Sequence, residues 1–173
     1  MQQLVFLDTE FTRLDSRFPQ LITLGLVHED GLRAFYGELE NFDQRHCSQF
    51  VLDIVLPRRT RENRMHSSAL APMLRDWLIA LGGDVYIAVD YKVDFSLFVA
   101  LLGRQFPANV HRQCFFVGGI LVWNECQEAI AAYWQQQGEQ WQHHALHDAH
   151  ALRRAWMAVD ERERADFWQG RTT

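Results

Sequence analysis

Cysteine and lysine are scarce in this chain. Its three cysteines, Cys47, Cys114 and Cys126, lie far apart and form no C-x-x-C pair. That spacing argues against a disulfide framework or a thiolate metal site and suits a reducing compartment. Lysine occurs once, at Lys92, and the rest of the 17 basic residues are arginine, whose planar fork matches phosphate. A net charge of −5 excludes a global attraction to nucleic acid and leaves only local patches to provide one. No apolar run reaches the roughly eighteen residues of a membrane span, and MQQLVFLDTE lacks the basic start of a signal peptide, so we expect a cytoplasmic protein. Repeats, low-complexity tracts and Pro/Gly/Ser linkers are also missing. With 48% hydrophobic residues in 173, the expectation is one domain spanning 1–173 with a proper core.

Hydrophobic patterning gives the elements. LVFL (4–7) reads as a buried strand, followed by LITLGLV (21–27) and LRAFYGEL (32–39). The stretch His28-Glu29-Asp30-Gly31 between the last two carries the Asp-Gly hairpin signal, so three antiparallel strands are expected at the N-terminus. Ser67 or Ser68 can cap a helix whose apolar positions are Leu70, Met73, Leu74, Trp77, Leu78 and Leu81, ended by Gly82-Gly83. VYIAV (85–89) predicts a further buried strand, and VDFSLFVALL (93–102) a buried helix closed by Gly103. CQEAIAAYWQQQ (126–137) is helical, and Leu146, Ala149, Leu152, Trp156 and Val159 mark a last helix; Trp77 and Trp156 belong to the core. Strands first and alternation afterwards indicate a mixed α/β sheet with flanking helices.

Carboxylates stand where an unpaired anion is disfavoured. Asp8 and Glu10, at i and i+2 after LVFL, point to one face of an extended chain. Two like charges near a buried sheet call for a cation between them. Asp94 opens a buried helix just past VYIAV, and Asp148 lies in an apolar-rich helix. Oxygen ligands favour Mg²⁺ or Mn²⁺. A carboxylate cluster with one histidine suits two such ions roughly 3.5–4 Å apart, the arrangement for in-line displacement at phosphorus, with the histidine taking the proton of the attacking water.

FLDTEF (6–11), VDYKVDFSLF (89–98) and HHALHDA (143–149) resemble, in order and position, the three motifs of the DEDDh, or DnaQ-like, 3′–5′ exonucleases, over about residues 4–155. The resemblance implies an RNase H-like fold. It implies Asp8, Glu10, Asp94 and Asp148 as ligands of two Mg²⁺ or Mn²⁺ ions, His143 as general base, and Thr9 and Phe11 beside the substrate, with Phe11 stacking on a terminal base. DTEFT, the hairpin and FVLDIVLP (50–57) resemble more closely the small stand-alone bacterial exoribonucleases that trim RNA 3′ ends. The resemblance also allows a homodimer. Many proofreading relatives carry asparagine four places before the motif-two aspartate; here that place holds Asp90, which competes with Asp94 and is assigned a supporting role.

The nine residues QHHALHDAH (142–150) hold four histidines. On one continuous helix His144, not His143, would share a side with Asp148. The motif and the helix phase agree only if His143 precedes the helix on a loop, with the first turn near Ala145. Zinc is disfavoured, because no glutamate follows His143 and no cysteine pair completes a site. His144, His147 and His150 are expected on an exposed helix face, and His28, His46, His66 and His111 on turns or the surface. In PRRTRENR (57–64), Arg58, Arg59, Arg61 and Arg64 could bind a substrate backbone or line a solvated loop. Arg153 and Arg154 are expected as surface charges within reach of phosphate. The rivals to an exoribonuclease are the same chemistry on DNA and a nucleic-acid-binding module without catalysis.

Overall fold

The computed structural model describes residues 2–60 and 62–169; Arg61 lies outside them. Among the described residues, six strands form one sheet in the order β4-β3-β2-β1-β5-β6. They are β1 (Gln2–Phe11), β2 (Leu21–His28), β3 (Ala34–Leu39), β4 (Arg64–Met65), β5 (Asp84–Val89) and β6 (Phe115–Phe116). β1, β2 and β3 are antiparallel neighbours, as expected, whereas β5 lies parallel to β1 and β6 parallel to β5. Helices α1 (Ser67–Leu81), α2 (Lys92–Leu102), α3 (Asn124–Gln137), α4 (Ala145–Ala158) and α5 (Glu161–Gln169) complete the RNase H-like architecture.

Alternation along the central strands builds two cores. Val5 and Leu7 of β1, with Val85, Ile87 and Val89 of β5, face Leu70, Leu74 and Leu78 of α1 and Phe98 and Leu102 of α2. Leu4 and Phe6, with Ala88, face Leu152, Ala155 and Trp156 of α4. The sheet is covered on both sides, which explains why its strands read as continuous apolar runs. α4 comes so close to β2 that a Cβ at Gly25 would run into the backbone of Ala145 and Leu146.

Several local expectations change. The cap of α1 is His66, whose Nδ1 accepts from the Ser68 amide at 3.2 Å; Ser67 is already helical. His28 is no surface residue. It is 4% exposed at the end of β2, and its ring nitrogens meet Gln3 and Arg33. The β2–β3 turn holds it there, with Gly31 at φ 76° and its amide donating to the His28 carbonyl at 2.8 Å. Arg153 is committed to the same turn, its Nε donating to the Glu29 carbonyl at 2.8 Å. A π-helical turn at Val51–Val55 and the helix α5 were not legible in the pattern.

Candidate active site

β1 outruns its parallel neighbour. Its pairing with β5 stops at Phe6, opposite Ala88, while pairing with β2 continues to Phe11. The strand end therefore opens a crevice at the carboxyl ends of two parallel strands, where ligands bind in α/β sheets. Asp8 and Glu10 project from this end. Thr9, between them, is buried, and its hydroxyl donates to Oδ1 of Asp94 at 2.6 Å. Asp94 sits in the first turn of α2 at 2% exposure, Asp90 in the turn that leads there from β5, and Asp148 in the first turn of α4.

Two sets of potential ligands result. Atoms of Asp8, Asp90 and Asp94 lie within 4.8 Å of one another, and so do atoms of Glu10, His143 and Asp148. Burial and then mutual repulsion push these carboxyls up: Glu10 to about 8, Asp94 and Asp148 to about 7, and Asp8 well above its ordinary value. Asp90 shifts upward too, chiefly through burial. Five converging carboxyls that resist ionisation when left alone are the donor chemistry of a hard divalent cation, whose charge removes the repulsion. The residues fit Mg²⁺ or Mn²⁺.

His143 precedes α4, whose N-cap is His144 and whose first helical residue is Ala145. It is therefore on a loop, where helix phase requires it to be if it is to accompany Asp148. Its φ is 61°, the left-handed region that costs a non-glycine residue about 1 kcal/mol or more. The backbone amides of His143 and His144 lie near the Asp148 carboxyl and favour its ionised form, against the upward push of burial. The Phe50 ring meets the His143 imidazole edge-on, centroids 4.8 Å apart. Desolvation and then the Arg58 charge lower the His143 pKa, which favours the neutral ring.

The other histidines of the run are not an exposed face. His144 is 7% exposed and stacks on Tyr36 at 4.5 Å. His147 is half-buried, stacked on Trp141 and hydrogen-bonded to the Tyr133 hydroxyl at 3.0 Å; half-buried His150 stacks on Tyr133. The arginine segment divides. Arg59 is a buried ion-pair partner, its Nε 3.3 Å from Oε2 of fully buried Glu38, which also accepts from Tyr36 and Thr60. Arg64 approaches Glu38 at 3.5 Å. Arg58 turns toward Gln140.

The five carboxyls and His143 open into a cleft of about 720 Å³ that also takes in Phe11, Phe50, Tyr91, Leu121, Trp134 and Leu152. Phe11 and Tyr91 are stacked, centroids 6.4 Å apart. The sequence points to Phe11 but not to Phe50, Tyr91 or Trp134: Phe50 and Tyr91 lie in segments that the pattern leaves unassigned, and Trp134 is on a helix whose neighbours only the tertiary fold decides.

The fold recurs among solved structures. The structure is similar to that of exonuclease I, described as suggesting how processivity is achieved, with a TM-score of 0.64, 12% identity, and coverage of 96% of this chain and 43% of that one. It is also similar to a full-length 3′-exonuclease, with a TM-score of 0.52, 13% identity, and coverage of 88% and 79%. The chain spans less than half the length of exonuclease I, and at these identities the likeness is one of fold. No family model and no curated protein sequence matches the chain.

Proposed function

We propose that this chain is a divalent-cation-dependent 3′–5′ exonuclease that releases nucleoside 5′-monophosphates, with single-stranded or 3′-overhanging RNA as its preferred substrate. The observation that carries the proposal is the pair of adjoining ligand sets at the end of β1. Asp8, Glu10, Asp94 and Asp148 would hold the ions, with Asp90 beside them. Bound there, two Mg²⁺ or Mn²⁺ ions supply Lewis acidity to the attacking water and the leaving oxygen.

The side chains do the rest. His143, kept neutral, accepts the proton of the attacking water. Thr9 orients Asp94 through its hydroxyl and lines the cleft beside the terminal nucleotide. Phe11 offers a ring on which a terminal base stacks whatever its identity. All these positions carry the right chemistry, which favours an enzyme over a binding module, and the two solved structures compared above are of exonucleases. The preference for RNA rests on the resemblance of DTEFT and FVLDIVLP to the small exoribonucleases.

Matched linear RNA and DNA strands labelled at the 5′ end, and circular ones labelled internally, test the proposal. Linear strands should shorten from the 3′ end, RNA faster than DNA, and circles should survive. Cutting of circles would contradict an exonuclease, and faster loss of DNA would contradict the substrate class.

A further inference from the structure

Residues 48–58 form one wall of the cleft through Ser48, Phe50 and Val51, and the same segment reaches outside it. The Arg58 guanidinium bridges two carbonyls: Nε donates to Gln140 at 2.7 Å and Nη1 to Ile54. Gln140 stands three residues before His143, on the short 3₁₀ turn Glu139–Trp141 that leads to the loop. Phe50 meets the His143 ring edge-on. The loop carrying His143 is thus held at two points by one segment, within the cleft by Phe50 and at Gln140 by Arg58. His143 needs such support, because an exposed non-glycine residue at φ 61° persists only where its surroundings over-determine it.

The charge on Arg58 acts in the opposite sense to a ligand set for cations. Its guanidinium carries a permanent positive charge and has no lone pair to offer a metal ion. A positive charge there repels a divalent ion, so an arginine at this point does not serve cation binding. We propose, resting on the nuclease assignment above, that Arg58 is a positioning residue: its two-carbonyl bridge fixes the Gln140 turn and so aims His143 into the cleft.

The test compares wild type, Arg58→Gln and Arg58→Lys on a single-stranded oligonucleotide with Mn²⁺, alongside calorimetric titration of Mn²⁺ without nucleic acid. In Arg58→Gln, kcat should fall about tenfold or more while KM stays within about twofold, since misaiming a catalytic group costs rate and not binding. Mn²⁺ should bind this variant as tightly as wild type or more tightly. In Arg58→Lys the ammonium keeps the charge but cannot reproduce the planar fork, so kcat should remain low with wild-type Mn²⁺ affinity. Amide exchange should quicken over residues 139–144 in both variants and not in β1. Wild-type kcat in either variant overturns the proposal. So does a rise in KM that matches the fall in kcat, which would mark a contact to substrate phosphate, or a loss of Mn²⁺ affinity, which would mark a general structural role. Inactive wild-type protein would contradict the nuclease assignment itself, whereas active wild type with an unaffected Arg58→Gln contradicts this proposal alone.

Discussion

The hydroxyl of Thr9 donates to the carboxylate of Asp94 at 2.6 Å and ties the end of β1 to the first turn of α2 across 85 residues of chain. Both groups are buried, so Thr9→Val, which conserves shape, leaves Asp94 short of a donor. We expect a loss of about 1–3 kcal/mol in stability and weaker Mn²⁺ binding, because Asp94 is no longer oriented. Urea unfolding and calorimetry on the variant check this; wild-type values in both would remove the positioning role of Thr9.

Gly25 is required by the approach of α4. Any side chain there meets the backbone of Ala145 and Leu146, the turn that leads to Asp148. Gly25→Ala should cost about 1–3 kcal/mol through overpacking and lower nuclease activity by lifting α4 from the sheet. A thermal melt and an activity assay together decide it. A variant that melts normally and cuts normally contradicts the contact.

Arg59 and Glu38 are 5% and 0% exposed at their side chains. Arg59→Met strips a buried carboxylate of its nearest cation, and such losses run to about 3–5 kcal/mol. Arg64, at 3.5 Å, offsets part of that, so the expected cost is about 3 kcal/mol, read by chemical denaturation. A neutral or stabilising Arg59→Met would show that the pair is dispensable.

Without a cation, the raised carboxyls make stability depend on pH. Glu10 titrates at about 8 and Asp94 and Asp148 at about 7 in the folded protein, against about 4 in the unfolded chain. The folded state therefore holds protons that the unfolded state has released, and stability must fall as pH rises through the folded values. Histidines with lowered pKa, such as His144 and His147, act in the opposite direction below about pH 6.5. The clean window is roughly pH 7 to 8.5. Melting temperature with EDTA should drop across it, and the gain from added Mn²⁺ should grow. A melting temperature that climbs with pH, or a Mn²⁺ gain that shrinks, is the contrary result.

How much of this was legible depended on whether a local period carried the information. Asp8 and Glu10 could be placed on one face because a strand repeats every two residues, and His143 could be separated from its helix because five residues break the helical phase. The three-strand opening followed from apolar runs and one Asp-Gly turn. Non-local partnerships left no such trace. Nothing in PRRTRENR announces that Arg59 turns inward to Glu38 or that Arg58 reaches Gln140. The burial of His144 and His147 depends on Tyr36, Trp141 and Tyr133, which arrive from other segments. Asp90 sits beside Asp8 only because the chain turns sharply between β5 and α2.

The account stands on the carboxylates at the end of β1 holding divalent cations for cleavage at a 3′ end. Digestion of a 5′-labelled single-stranded RNA by wild type and Asp8→Asn, each with Mn²⁺ and with EDTA, tests this most directly. Wild type with Mn²⁺ should give a ladder that shortens from the 3′ end, and EDTA or Asp8→Asn should abolish it. A ladder that survives EDTA, or that Asp8→Asn produces at the wild-type rate, would contradict it.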